Sequence, residues 1–228
     1  MTSATRRPSW NTGASSTWSL EWETAPRERP ASVRDVFAAW PALCRDRTFI
    51  GYTTALACVT GAFFAFIAGA PFVVVEVMGR SADVYGVYFA IVAGGYMAGN
   101  FLSGRFARRL GSERLVEIGT TISLASVTLA LGLALMENWS PAGLFLPLVF
   151  NAIGNGMTIP GATAAALSVR PERSGSAAGL AGAAHLGLGA AASFLIGLAV
   201  ELWPPLVVAA LLALTLAAAL SFRMARVR

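Results

Sequence analysis

The sequence predicts an all-α membrane protein of six transmembrane helices arranged as an inverted repeat of three and three. Three observations carry this. Six long apolar segments follow one another, arginine is confined to alternate breaks between them, and proline and glycine recur at matching places in the two triplets. The chain is 56% hydrophobic and only 13% charged, about half the charge of a soluble domain. Its mean hydropathy is +0.63, and its 23 glycines sit among apolar residues rather than in turns. A soluble core of this size could not hide so much apolar surface. The net charge of +5 comes from 17 basic residues, all of them arginine, in short clusters between apolar runs. That is the pattern of membrane topology, and it excludes a nucleic-acid-binding face.

Residues 1–30 are rich in Ser, Thr, Pro and charge, and predict a disordered segment. Arg6 and Arg7 imitate the start of a signal peptide, but no apolar stretch follows them. Residues 31–47 place Val33, Val36, Phe37 and Trp40 at helical spacing among Arg34, Asp35, Arg45 and Asp46. This predicts a short amphipathic helix lying at the membrane surface. Residues 48–224 form the membrane domain. Its apolar segments cover roughly 48–70, 84–104, 114–136, 142–168, 175–200 and 204–222, each long enough to cross a hydrocarbon core of about 30 Å. The breaks (GRSAD, RFARRLGSER, ENWSP, VRPERS and ELWPP) are too short for a soluble domain. Cys44 and Cys58 have no partner at metal-ligand spacing, so both are expected as free thiols and neither metal nor cofactor is expected.

Arginine sets the orientation. Every arginine except Arg80 falls in the N-terminal stretch, in the breaks after the second and fourth spans, or in the tail. The positive-inside rule then puts both termini in the cytoplasm. The outer breaks carry Asp83, Glu137 and Glu201 with Trp139 and Trp203, as an interface belt would.

The repeat is visible in the spans themselves. The first and fourth are interrupted about twenty residues from their starts, by Pro71 two residues after Gly69 and by Pro160 next to Gly161. Proline removes a backbone hydrogen bond and bends a helix. The second and fifth spans are glycine-rich, and the spacings Gly95/Gly99 and Gly175/Gly179 allow helix backbones to approach closely. The third and sixth are the least polar and suit a lipid-facing position. Two triplets entering from opposite sides, with interrupted helices at corresponding places, make a transporter signature.

Several stretches add a resemblance. GNFLSGRFARRLG (99–111) resembles the signature of the major facilitator superfamily at the cytoplasmic end of its eighth helix, usually acid-Arg-x-Gly-Arg-Arg. Arg105, Arg108 and Arg109 match it, while Gly104 stands at the acid and Ala107 at the glycine. GNGMTIPGATAAALSVRPERSGSAAGL (154–180) is similar to the tenth helix, its loop and the start of the eleventh in the Bcr/CflA (bicyclomycin-resistance) drug exporters. AAHLGLGA (183–190) continues the match, with His185 where such proteins tend to have glutamine. RDRTFIGY (45–52) resembles the start of the seventh helix. The resemblance covers about residues 30–225 and implies the C-terminal half of a twelve-helix, proton-coupled exporter of drug-like molecules in the bacterial inner (plasma) membrane. The first six helices are absent, so a truncated product unable to transport alone is expected, with a missing N-terminal half or a second copy as partner.

By the same resemblance the first and fourth spans line a substrate path, which nominates Phe63, Phe66, Asn151, Asn155, Met157 and Thr158. Asn151 and Asn155 are four apart and share a helix face. Two readings stay open for them: a cavity, or hydrogen bonds to a neighbouring helix. His185, about 16 Å into the fifth span, is the ionisable residue nearest the bilayer middle. It could carry protons for antiport or simply bond a neighbour. Arg105, Arg108 and Arg109 are the candidate cytoplasmic gating motif, although topology alone would also require them. Glu117 is expected to pair with nearby Arg114. Asn100, Asn155 and Thr158 are expected on faces left open by the absent half. Rival functions are a non-transporting remnant and a membrane-embedded enzyme. Ser103 and His185 superficially supply a serine and a histidine for the latter, but at different depths, so no catalytic residue is expected.

Overall fold

A computed structural model of the protein describes residues 33–136 and 139–226. The segment expected to be disordered and Glu137 lie outside the described residues. A first helix, α1 (Val33–Leu43), leads to α2 (Arg47–Phe72), whose start is capped by Asp46 Oδ1 accepting from the amides of Thr48 and Phe49 at 3.1 and 3.3 Å. Past Pro71 the helix loosens into a π turn, Val73–Val77. Then come α3 (Ala82–Leu135), α4 (Pro141–Ser168), a single 3-10 turn (Pro171–Arg173), α5 (Ser174–Ala199) and α6 (Leu206–Arg226). Ser140 Oγ caps α4 by accepting from Gly143 N at 3.0 Å, with Pro141 at the first helical position. Pro160 lies inside α4, which continues to Ser168.

The sequence differs from the structure most at α3. The arginine-rich stretch 105–114 reads as a break, yet it is helical on both sides of one residue, Gly111, at φ 75° and ψ 162°. Arg, Leu, Ala and Glu are good helix formers, and only the glycine reaches a positive φ without a Cβ penalty. Fifty-four residues in a straight helix would extend about 80 Å, against a hydrocarbon core of about 30 Å. So α3 is two spans, here called its first limb (82–110) and second limb (112–135). Among the described residues five helices are long and apolar enough to cross a membrane, and α3 counts twice, giving six crossings.

The two triplets exchange partners. The first span, α2, packs against the last two: Gly51 lies against Ala225 and the Ser221 carbonyl of α6, Gly61 against Leu188 of α5, and Gly69 against Ile196 and Val207. The fourth span, α4, packs between the limbs of α3: Gly99 lies against the Ile153 carbonyl, Gly156 against the Tyr96 carbonyl, and Gly119 against Thr158 and the Gly154 carbonyl. This is the inverted repeat made physical. Each triplet gives its first helix to the other's last two.

Two apolar clusters fill the interior. One contains Phe66, Val74, Val127, Phe145 and Leu211. The other, at the arginine-bearing end, contains Leu43, Phe49, Val116, Ala166 and Phe222. Along the chain the clusters leave a gap between them on every spanning helix but the first limb of α3, and the gap holds Thr60, Ser123, Asn155, His185 and Thr215. The domain therefore has a polar waist.

Candidate functional site

At the waist, α2, the first limb of α3, α4 and α5 enclose a cavity of about 380 Å³. Of the sequence candidates, Phe63, Phe66, Asn151, Asn155 and His185 all line it. Met157 and Thr158 do not. Leu148, Asn151, Ala152, Asn155 and Ile159 fill one sector of α4, and at about 100° per residue Met157 falls on nearly the opposite side. Thr158 is fully buried against Gly119 of the second limb, and its Oγ1 donates to the Gly154 carbonyl at 2.9 Å. The two limbs of α3 take most of the circumference of α4, and Thr158 belongs to that contact.

The sequence reading passed over Phe64, Phe89, Tyr96 and Leu186, which also line the cavity. A signal for two of them was present: Phe89, Val92, Ala93 and Tyr96 are spaced as one helix face. The aromatic wall is partly structural. Phe66 stacks with Phe89 at 6.4 Å between ring centroids and meets Phe145 edge-on at 5.8 Å. Phe63, 42% exposed, is freer. Phe64 is fixed from behind: Gly189 leaves room for its ring, and Ser193 Oγ donates to its carbonyl at 3.1 Å.

The two asparagines divide the two readings between them. Asn155 is the helix-to-helix case: its Oδ1 accepts from Ser123 Oγ at 3.1 Å. Ser123 Oγ also lies 3.2 Å from the Asn151 carbonyl, so its single proton is shared between two acceptors of α4. The Asn151 side chain is the cavity case: its Oδ1 is buried without a hydrogen-bond partner. So is His185 Nδ1. An unpaired buried polar atom costs about 1–3 kcal/mol, and two of them lining one cavity mark a place for something that binds there. Of the three residues expected on an open face, Asn155 and Thr158 are buried, while Asn100 is half exposed. Asn100 Nδ2 donates to the Tyr96 carbonyl of its own helix at 2.9 Å.

At the arginine-bearing end, Arg105, Arg108 and Arg109 border a small hollow of about 110 Å³ with Phe106. None makes an ion pair among the described residues. Glu117 pairs not with Arg114 but with Arg226, whose Nη1 donates to Glu117 Oε2 at 2.7 Å, while Glu113 lies 3.7 Å from its Nε. Arg170 lies 3.6 Å from Asp46, linking the end of α4 to the start of α2. Ser103 is buried in the first limb and shares no hydrogen bond with His185 among the described residues.

The profile of the Major Facilitator Superfamily matches residues 6–194. The chain belongs to the Major Facilitator Superfamily. An uncharacterized MFS-type transporter, YdgK of Bacillus subtilis, is 28% identical over 178 residues, 77% of this chain and 44% of the relative. The bicyclomycin resistance protein homolog of Haemophilus influenzae is 26% identical over 150 residues, 65% of this chain and 37% of the relative. The chain thus spans less than half the length of these curated relatives. Membership makes it a multi-pass membrane protein of a transporter family, and the cavity of this superfamily domain lies where two aromatic-bearing helices meet its unpaired polar atoms.

Proposed function

We propose that this chain is one six-helix half of a proton-coupled exporter of drug-like molecules, corresponding to the C-terminal half of a Bcr/CflA transporter. The observation that carries the reading is the waist cavity: apolar and aromatic walls around Asn151 and His185, whose buried atoms have no partner among the described residues. A transporter needs a site at mid-depth that opens alternately to each side, and one six-helix unit supplies one wall of it. The other wall is a second six-helix unit, whether from the same polypeptide or another copy. In favour of that, α5 keeps Leu186, Phe194, Leu195 and Leu198 exposed, and only 22% of its most apolar stretch is buried. His185 is the candidate proton carrier, Arg105, Arg108 and Arg109 the gating motif, and Pro71 and Pro160 the bend points. The arginine asymmetry supports both ends in the cytoplasm, and the bacterial relatives support a bacterial plasma membrane.

Reconstitution into proteoliposomes with an imposed pH gradient tests this. The 228-residue chain alone should move no dye, and co-reconstitution with a complementary six-helix unit should give proton-driven movement that His185→Ala abolishes. Proton-driven movement by the chain alone would overturn the half-transporter reading. For orientation, a cysteine at Ser140 in a Cys44→Ser background should react with an impermeant thiol reagent from outside, and one at Ser112 should not. The reverse labelling would invert the topology.

A further inference from the structure

The cavity's chemistry narrows what it takes. Its lining contains aromatic rings on α2 and on the first limb of α3, Phe63, Phe64, Phe89 and Tyr96 among them, and no carboxylate. Aromatic faces alone attract organic cations. A cation at mid-depth of the bilayer nevertheless needs a counter-charge, because a charge leaving water unpaired is costly. The acidic side chains of the described spanning helices stand near their ends: Glu76 and Asp83 at one, Glu113, Glu117 and Glu172 at the other. Among the described residues nothing anionic faces the cavity.

What does face it is one amide and one imidazole with unpaired buried atoms, Asn151 Oδ1 and His185 Nδ1. Asn151 is only 9% exposed, so water has little access to replace a lost partner. An amide offers both a donor and an acceptor, and an imidazole nitrogen can serve as either. The group that satisfies both is one that itself donates and accepts. A volume of about 380 Å³ holds a body of one or two rings.

We infer that the cavity binds uncharged, aromatic-bodied molecules bearing one donor-acceptor group such as a carboxamide or hydroxyl, held between Asn151 and His185, and that this wall gives no site to permanent organic cations. The inference rests on the transport reading only in treating the occupant as cargo. Because the Asn151 side chain has no hydrogen-bond partner among the described residues, it also has a stability signature. Asn151→Leu should weaken binding without lowering the melting midpoint, since the orphaned atom is removed and no protein bond is lost. Asn155→Leu, which breaks the bond to Ser123, should lower the midpoint.

The test is binding of tritiated naphthamide to the full chain in lipid nanodiscs, competed by unlabelled naphthamide, by its N,N-dimethyl derivative and by naphthyltrimethylammonium. Saturable binding is expected, with the dimethyl derivative weaker by up to about tenfold and the ammonium compound not competing. Asn151→Leu and His185→Leu should each weaken binding by a similar factor, with the Asn151→Leu midpoint unchanged or raised. Equal competition by the ammonium compound, unchanged affinity in both leucine variants, or no saturable binding of naphthamide would each overturn the assignment. The proteoliposome assay is independent of it: failed proton-driven transport with intact naphthamide binding would sink the transport reading alone, and the converse would sink only the substrate class.

Discussion

In the cleft between the limbs of α3, the glycines of α4 lie against backbone; along α5, five glycines lie against nothing. A methyl at Gly154 would meet Ser123 Oγ and the Gly119 carbonyl, and one at Gly156 would meet the Tyr96 carbonyl at 2.5 Å. At Gly175, Gly179, Gly182, Gly187 and Gly197 no atom lies within 4 Å of where it would stand. The most apolar stretch of α4 is 61% buried and that of α5 only 22%. Both helices are glycine-rich in sequence, yet one uses its glycines inside this chain and the other holds them on an open face. In lipid, small residues give poor packing against acyl chains and good packing against another helix. The contrast separates contacts that build the domain from a face available to a further unit.

Between these two faces, the largest effect should come from filling the tight contact. Gly99→Ala and Gly154→Ala put a methyl into carbonyl oxygens on the facing helix, which cannot move as a flexible side chain would. Each should destabilise the domain by about 1–3 kcal/mol or more, read as a lower melting midpoint in detergent. Wild-type midpoints in both would mean that α4 does not sit this deeply between the limbs. Next comes Ser123→Ala. It removes the donor to Asn155 Oδ1 and leaves a buried acceptor alone, at about 1–3 kcal/mol. A double-mutant cycle with Asn155→Leu should show that the two losses are not additive; simple additivity would deny the bond.

Six crossings and the repeat were legible because length, arginine position and proline position are one-dimensional signals. The failures are three-dimensional. The stretch 105–114 looked like a loop because charge marks membrane breaks, but charge does not unwind a helix, and only Gly111 does so here. Asn151 and Asn155 are indistinguishable by spacing, and only the position of Ser123, 32 residues from Asn155, decides which has a partner. Met157 and Thr158 sit within a turn of the cavity-lining Asn155 and Ile159 but face elsewhere, because the limbs of α3 leave α4 a single open sector. Glu117 was matched to the nearest arginine in sequence, whereas the fold brings Arg226 from 109 residues away.

On the open side, alanine should do the reverse of what it does in the cleft. Gly179→Ala and Gly187→Ala meet no atom, and alanine is favoured over glycine within a helix by roughly 0.5–1 kcal/mol. The isolated chain should be as stable as wild type or slightly more so. If the open face receives a second six-helix unit, larger side chains there, such as Gly179→Leu, should leave the melting midpoint alone and abolish co-purification with that unit. Retained co-purification would place the partner on another face.

The smallest effect should come from the ion pairs that join α6 to the second limb of α3. Arg226 is held by Glu117 at 2.7 Å and flanked by Glu113 at 3.7 Å. Its guanidinium carbon also stands 5.4 Å from the centre of the Phe222 ring. All three charged side chains are more than a third exposed, so water and salt screen them. Below them the contact is apolar, with Phe222 2% exposed and Ala218 fully buried. Glu117→Gln should therefore barely move the melting midpoint, because Glu113 remains, and the difference should vanish at high salt. Phe222→Ala should cost far more, since removing a buried aromatic side chain typically costs about 3–5 kcal/mol. If Glu117→Gln proved as damaging as Phe222→Ala, α6 would be fastened by charge rather than by packing, and the division between a tightly packed interior and a loosely held exterior would have to be redrawn at this helix.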